Sequence, residues 1–136
     1  MTKLTEQEVQ GWEGEDYMNA DHLDFYKDRL QQMQQALLIN ASETADHLQE
    51  QEATPDPADR ATLEEEYTLE LRTRERERKL LQKIQASLRQ IEDGSYGFCE
   101  DSGEPIGLKR LIARPTATLA IEAQERRERK KRQYAG

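Results

Sequence analysis

The chain has 136 residues, of which 35% are apolar and 35% charged, and its mean hydropathy is -1.05. This composition excludes a large rounded core and favours one small domain with an extended element. Residues 1–66 hold 4 basic and 17 acidic side chains, giving -13, whereas 67–136 hold 16 and 11, giving +5. Because phosphate binding requires a basic surface, the acidic first half disfavours wrapping on DNA.

Location in the cell is predicted from what the sequence lacks. No stretch approaches the roughly 18 consecutive apolar residues of a membrane helix, and the first residues lack the apolar run of a signal peptide. Cys99 is the single cysteine, so an internal disulfide is excluded. We therefore expect a cytoplasmic protein that contacts no membrane.

Residues 1–18 are predicted to form an N-terminal segment that packs on or near a globular base. Thr5 and Glu8 have the spacing of a capping box, which predicts a short helix. From residue 19 onward, apolar residues recur at alternating steps of three and four, which is typical of a coiled coil. These residues are Leu23, Tyr26, Leu30, Met33 and Leu37, continued by Ala41, Ala45 and Leu48.

Two prolines, Pro55 and Pro57, break this helix, and a second helix should end at Asp93, before Gly94. Its apolar residues are Leu63, Tyr67, Leu71, Leu81, Ile84, Leu88 and Ile91. So short a connection predicts an antiparallel coiled-coil hairpin over residues 19–93, with its tip at 55–61. The fold class is thus mainly α, a long hairpin on a small globular base.

Residues 94–136 complete the base. Glycines and prolines up to residue 116 predict tight turns with one or two short strands. A C-terminal helix is predicted over about 117–133, with Thr116 as its N-cap.

The tip carries two carboxylates, Asp56 and Asp59. Both suit an ordinary helix start, with Asp56 as N-cap and Asp59 in the first turn. Alternatively, acidic groups at the end of a hairpin can enter a channel that a globular body cannot. The sequence alone leaves both interpretations open.

Residues 71–79 concentrate basic side chains on the second helix. Such a run is usually a solvated face with ion pairs between successive turns, and Glu75 and Glu77 are available to form them. A fraction of the run is a candidate for docking on a partner, because arginine makes bidentate contacts.

Cys99 and Ser102, and likewise Ala120 and Ala123, keep the two-residue gap of a zinc knuckle. A structural zinc site needs four Cys or His ligands, so these positions predict a degenerate zinc-finger-like segment that holds no metal. His22 and His47 are expected to be surface or seam residues. No nucleophile with its base, phosphate loop or metalloprotease motif is present, so we predict that the chain is not an enzyme and needs no bound cofactor.

The chain resembles the DksA/TraR family of bacterial transcription regulators over nearly its whole length. The resemblance rests on DPADRA at 56–61, EEEYTLELRTRERERKLLQKI at 64–84, EDGSYGFCEDSGEPIG at 92–107 and RLIARPTATLAIEA at 110–123. It implies a hairpin that enters the secondary channel of RNA polymerase, and a role in the stringent response together with the alarmone ppGpp. Repression of ribosomal RNA promoters and activation of amino-acid promoters are implied as well.

Residue roles follow from the same resemblance. It assigns the tip to Asp56, Asp59 and Ala61, the polymerase-binding shaft to Arg72, Arg76 and Lys79, and the ppGpp site to Leu80, Lys83 and Arg114. A further basic position of the ppGpp site is Gln124 here. The four zinc ligands are replaced by Cys99, Ser102, Ala120 and Ala123, which implies a cysteine-poor paralogue that works without zinc.

Two other functions remain as alternatives. A passive coiled-coil adaptor would use the tip only as a helix start, and a transcript-cleavage factor would position a metal at the polymerase centre. Nothing in the sequence indicates self-association, so a monomer is expected.

Overall fold

The computed structural model describes residues 4–12, 16–51 and 57–135, with side chains outside the description at 44–51, 57–59 and 135. The described residues are mainly helical, as predicted. The helices are α1 Glu6–Gln10, α2 Ala20–Gln51, α3 Pro57–Asp93, α4 Leu108–Ala113 and α5 Ile121–Ala135. They fall into two compact units, one of residues 1–30 with 86–136, the other of residues 31–85.

Local capping signals set the ends of the first helices. The Thr5 side chain accepts the N–H of Glu8 at 3.2 Å, which confirms the predicted cap of α1. Asn19 caps α2, since its Oδ1 accepts the N–H of His22 at 2.8 Å.

The ends of α3 also agree with the sequence. Pro57 is its first residue, a position where the missing N–H costs nothing. Asp93 is its last, and Gly94 follows with a φ of 86°, a conformation that glycine adopts without strain. The predicted N-cap, Asp56, lies outside the described residues.

In the unit of residues 31–85, α2 and α3 form the antiparallel coiled-coil hairpin. Leu37 and Ala41 of α2 and Leu71 and Leu81 of α3 line one groove between the helices. The predicted apolar seam is only partly buried here, since the side chain of Leu71 remains 42% exposed. Tyr67, predicted in the same seam, is 39% exposed, so the heptad pattern overstated how much these two positions bury.

The unit of residues 1–30 and 86–136 has a small core that two tyrosines tie together. Tyr26 and Tyr96 are almost fully buried, with their ring centroids 5.6 Å apart. The Tyr26 hydroxyl donates to the carbonyl of Leu108 at 2.7 Å, and that of Tyr96 donates to the carbonyl of Pro115 at 2.8 Å. These two hydrogen bonds satisfy the buried hydroxyls and hold the chain at the start of α4 and just after its end.

The strands predicted after residue 94 are replaced by a single bridge between Phe98 and Pro105 within the described residues, and the sequence missed α4. The C-terminal helix begins at Ile121 rather than at residue 117, and Thr116 is not its N-cap. The carbonyls of Thr118 and Leu119 are occupied elsewhere: Glu100 N–H donates to the first at 2.9 Å and Arg110 Nε to the second at 3.0 Å.

In the part of the chain that the structure describes, no helix has both the length and the apolar character needed to cross a membrane.

Candidate functional site

The tip is described only in part. Asp56 lies outside the described residues, and Asp59 belongs to the first turn of α3, with its side chain outside the description. Ala61 is exposed. The predicted roles of these residues stay predictions.

The predicted shaft residues share one face of α3. Arg72, Arg76 and Lys79 are all exposed and follow one another at steps of four and three, the spacing of neighbours on a helix surface. Leu80, half-buried, and Lys83, exposed, continue along the same side. We refer to these five residues as the α3 stripe.

Part of the arginine run forms ion pairs within the helix. Arg78 makes a bidentate contact with Glu75, with Nε and one terminal nitrogen 3.0 Å and 2.6 Å from the two carboxylate oxygens. The hydrogen bond from Arg78 lowers the pKa of Glu75. Arg78 thus pairs within its own helix, as expected if the basic run is a solvated face with ion pairs between successive turns.

Arg114 and Gln124 lie in the unit of residues 1–30 and 86–136. Arg114 is exposed and follows α4 directly, where its N–H donates to the carbonyl of Arg110 at 2.8 Å. Gln124 is half-buried, and its Nε2 donates to Glu128 at 3.1 Å. Gln124 is therefore a neutral group already engaged on α5.

The degenerate knuckle positions come together around the Cys99 sulfur. Burial raises the pKa of this thiol, but hydrogen bonds from the Ser102 hydroxyl and from the N–H groups of Ala120, Ser102 and Asp101 outweigh it and lower the pKa to about 7. Cys99 and Ala123 are 3% and 1% exposed. The segment thus holds one buried thiol where a structural zinc site would hold four ligands.

These residues do not fit zinc. A structural site needs four nitrogen or sulfur ligands, and three of the four positions here offer a hydroxyl or a methyl group. The Ser102 hydroxyl accepts the N–H of Glu104 at 3.3 Å, and the methyl of Ala123 is buried. Among residues 4–12, 16–51 and 57–135, no cluster of three or more His, Cys, Asp or Glu side chains is arranged to hold a metal ion.

Sequence reasoning missed the residue that holds the knuckle loop in place. The Tyr17 hydroxyl donates to the carbonyl of Gly97 at 2.7 Å and accepts the N–H of Gly107 at 2.9 Å. Its ring also lies edge-on to Phe98, with centroids 5.6 Å apart. No short-range pattern signals these contacts, because Tyr17 is far from its partners in the sequence.

Two family descriptions match the chain. Residues 22–91 match the N-terminal domain of DnaK suppressor protein DksA, and residues 94–129 match the prokaryotic dksA/traR C4-type zinc finger. The chain belongs to the DksA/TraR family. The second match covers the knuckle, although this chain has a single cysteine where that description names a four-cysteine zinc finger.

Relatives within the DksA/TraR family match at high identity. The RNA polymerase-binding transcription factor DksA of Caulobacter vibrioides is 54% identical over 121 residues, covering 88% of this chain and 85% of the relative. The protein of the same name from Salmonella typhimurium is 45% identical, covering 90% and 82%. The structure of transcription factor DksA2 from Pseudomonas aeruginosa matches with a TM-score of 0.86 and 41% identity, covering 93% of this chain and 98% of that one.

Proposed function

We propose that this chain is a transcription regulator that binds bacterial RNA polymerase through its secondary channel. The observation that carries the proposal is the 54% identity, over 88% of the chain, to a relative named as an RNA polymerase-binding transcription factor. A role as a regulator rather than an enzyme is consistent with such names. RNA polymerase is the proposed partner, without direct DNA binding and with the chain acting as a cytoplasmic monomer.

The α3 stripe is the proposed surface for polymerase docking. Arg72, Arg76 and Lys79 are exposed and lie on one face, while Arg78, which points to Glu75, is already paired. Exposed arginines can form bidentate contacts with carboxylates of a partner, and such contacts favour fast and specific association. In this proposal, the α3 stripe therefore orients the chain on the polymerase and speeds the association of the two.

The tip supplies the regulatory effect in this proposal. Asp56 and Asp59 would act as negative charges inside the channel, with the small Ala61 permitting close approach. Charges in a confined, poorly solvated space interact far more strongly than on an open surface, so loss of one carboxylate should affect activity more than binding.

Leu80, Lys83 and Arg114 are the proposed contacts for ppGpp at the polymerase interface. Lys83 and Arg114 are exposed cations, which suits phosphate binding. Gln124 offers an amide in place of a further cation, so we propose that ppGpp enhances the effect of this chain less than that of a member with a basic residue there.

Zinc independence is the remaining part of the proposal. The support is chemical: three of the four positions offer a hydroxyl or a methyl group in place of a thiolate, and Cys99 and Ala123 are nevertheless buried. Folding then needs no metal, whereas a closed four-cysteine site draws much of its folding free energy from one. Such a protein would keep transcription control active when zinc is scarce.

Transcription of a ribosomal RNA promoter by purified polymerase tests the proposal. Wild type, Asp59→Asn and the control Asp24→Asn, which changes an exposed aspartate of α2, are compared with a strong zinc chelator, with and without ppGpp. We expect wild type and Asp24→Asn to repress, and Asp59→Asn to bind polymerase without repressing. If wild type binds polymerase but Asp59→Asn represses equally, the tip mechanism is wrong.

A passive adaptor is the second candidate, favoured by the Arg78 and Glu75 pair, which shows that part of the arginine run serves its own helix. An adaptor would bind a partner and leave transcription unchanged with or without ppGpp. Wild-type protein that fails to alter transcription in the same assay would therefore support the adaptor.

A further inference from the structure

A cleft of about 760 Å³ lies in the unit of residues 1–30 and 86–136. Its walls come from the residues that follow α1, from α4 with the loop before it, and from the first residue of α5. Trp12, Tyr17, Ile106, Leu108, Lys109 and Ile121 are among the residues that line it. The volume falls in the range of clefts that bind ligands or peptide segments.

The cleft has a rigid apolar lining that stays exposed. Trp12 is 36% exposed and Ile121 57% exposed, although both are large apolar side chains. The indole of Trp12 is held edge-on against the His22 ring, with centroids 4.6 Å apart, and two hydrogen bonds fix Tyr17. Exposed apolar side chains that converge on one concave site are typical of a binding surface, and aromatic anchors contribute most of the energy at such surfaces.

Ile121 is exposed at the cleft although the apolar residues two positions to either side of it are buried. Leu119 and Ala123 are 5% and 1% exposed, whereas Ile121 is 57% exposed. The side chain of Ile121 is therefore available to an occupant of the cleft, which Leu108 also lines.

Among the described residues, the charged side chains of the lining are all basic. Lys109, Arg110 and Arg114 contribute to it, and the described lining contains no Asp or Glu, in a chain whose net charge is -8. Arg110 is oriented by the bond from its Nε to the carbonyl of Leu119. A cationic cleft on an acidic protein selects for a negatively charged occupant.

We propose that this cleft binds an amphipathic acidic helix of a protein partner. The apolar face of that helix packs on Trp12 and Ile121, and its carboxylates pair with Lys109 and the neighbouring arginines. This is the helix-in-groove mode, in which apolar anchors give affinity and rim charges give orientation. The docking surface is additional to the one proposed on α3. It shares Arg114 with the proposed ppGpp contacts, so the helix and ppGpp would compete for that side chain.

The chemistry of the lining favours a helix over a nucleotide phosphate. The walls are mainly aliphatic and aromatic, whereas phosphate sites depend on converging backbone N–H groups. Gly107, which precedes α4, donates its N–H to the Tyr17 hydroxyl at 2.9 Å and is not free for an anion. Lys109 and Arg114 are exposed, which suits carboxylates spaced along a helix.

Trp12 is the only tryptophan in the chain, so its fluorescence reports on the cleft directly. The probe is a synthetic peptide of about 16 residues without tryptophan or tyrosine, with leucines on one helical face and glutamates on the other. We expect the peptide to shift Trp12 emission to shorter wavelength and to protect it from acrylamide quenching. A scrambled peptide of the same composition and a peptide with lysine in place of glutamate should do neither.

Three variants make the assay specific. Lys109→Glu should weaken peptide binding about three- to tenfold through charge reversal, and Ile121→Asp should weaken it at least as much through loss of an anchor. Lys131→Glu, which changes an exposed lysine of α5 outside the cleft, should bind like wild type. Circular dichroism of each variant checks that the fold is retained.

Clear results would overturn the proposal. No protection of Trp12 by the acidic amphipathic peptide at about 1 mM would exclude useful affinity. Equal protection by the scrambled peptide would mean that the cleft binds acidic peptides in general and does not recognise an amphipathic helix. A shift produced by guanosine diphosphate and competed by no peptide would assign the cleft to a nucleotide instead.

Discussion

The Nε of Arg127 on α5 donates to a carboxylate oxygen of Asp101 at 2.9 Å, joining the last helix to the turn that contains Cys99. The hydrogen bond from Arg127 lowers the pKa of Asp101. In a family member with four cysteines, a metal would join the segment around residues 99–102 to that around 120–123. Here the ion pair and the bond from Glu100 N–H to the Thr118 carbonyl connect the same two segments.

Asp101→Asn should therefore loosen the attachment of α5. The pair is exposed, so we expect a small decrease in the urea concentration at the midpoint of unfolding. The decrease should be measurable at low salt and absent at about 1 M NaCl. Arg127→Gln should have the same effect, and the double variant no more than either alone. Glu75→Gln, which breaks an ion pair inside α3, is the matched control for an exposed pair. Additive losses would show that Asp101 and Arg127 do not act on each other.

Tyr17→Phe should destabilise the fold more than is usual for the loss of a hydroxyl from a half-buried tyrosine. The carbonyl of Gly97 keeps a partner in the N–H of Ile106 at 2.8 Å, but the N–H of Gly107 loses the hydroxyl that accepts it. A backbone donor left without a partner costs about 1–3 kcal/mol. Tyr134→Phe is the control, because Tyr134 is 90% exposed. Urea unfolding followed by circular dichroism measures both, and equal midpoints for the two variants would contradict the bridging role.

The parts of the fold predicted from the sequence are those that local chemistry decides. Thr5, Pro57 and Asp93 mark helix ends because a cap, a fixed φ and a following glycine act within a few residues. By contrast, the start of α5 was predicted too early, since the carbonyls before it bind Glu100 and Arg110. Such long-range bonds leave no periodic signal in the sequence.

The candidate site divides in the same way. The common face of Arg72, Arg76 and Lys79 follows from helical spacing alone, and so does the pairing of Arg78 with Glu75. The cleft was not predicted, because Trp12 and Ile121 are near opposite ends of the sequence and meet only in the folded unit. The one available signal in the sequence was the pair Gly11 and Trp12, and a tryptophan next to a glycine is weak evidence for a binding cleft.

His22 predicts acid sensitivity in the unit that contains the cleft. The side chain is fully buried, and neither ring nitrogen has a hydrogen-bond partner within the described structure. Burial lowers the pKa of His22 below its ordinary 6.5, against smaller opposing effects of Asp21 and Asp16. The unfolded chain then binds a proton that the folded chain does not, so stability should be lost as the pH falls below about 6.5.

Comparison with His22→Phe tests this expectation. Phenylalanine keeps an aromatic ring against Trp12 and cannot be protonated, so its free energy of unfolding should fall less steeply between about pH 7 and pH 5. Trp12 fluorescence during urea unfolding provides the measurement, since Trp12 contacts the His22 ring. Parallel pH profiles for the two proteins would mean that His22 is solvated in the native state.

Cys99 predicts a dependence of the same sign in a higher pH range. Hydrogen bonds from Ser102 and backbone N–H groups outweigh burial, the larger single effect, and lower the pKa of the thiol from 9.0 to about 7. An acid whose pKa falls on folding adds stability above its unfolded value and loses it as the pH drops through the folded one. The wild-type free energy of unfolding should therefore rise between about pH 7 and pH 9, relative to that of Cys99→Ser.

A chelator separates this effect from metal binding. If Cys99 acts through hydrogen bonds alone, a strong zinc chelator should leave the pH profile and the melting temperature of the wild type unchanged, because nothing is withdrawn from the knuckle. A melting temperature that falls on chelation, and falls less in Cys99→Ser, would mean that the thiol holds a metal after all. A profile for Cys99→Ser that runs parallel to wild type would instead mean that the thiol stays protonated in the folded chain.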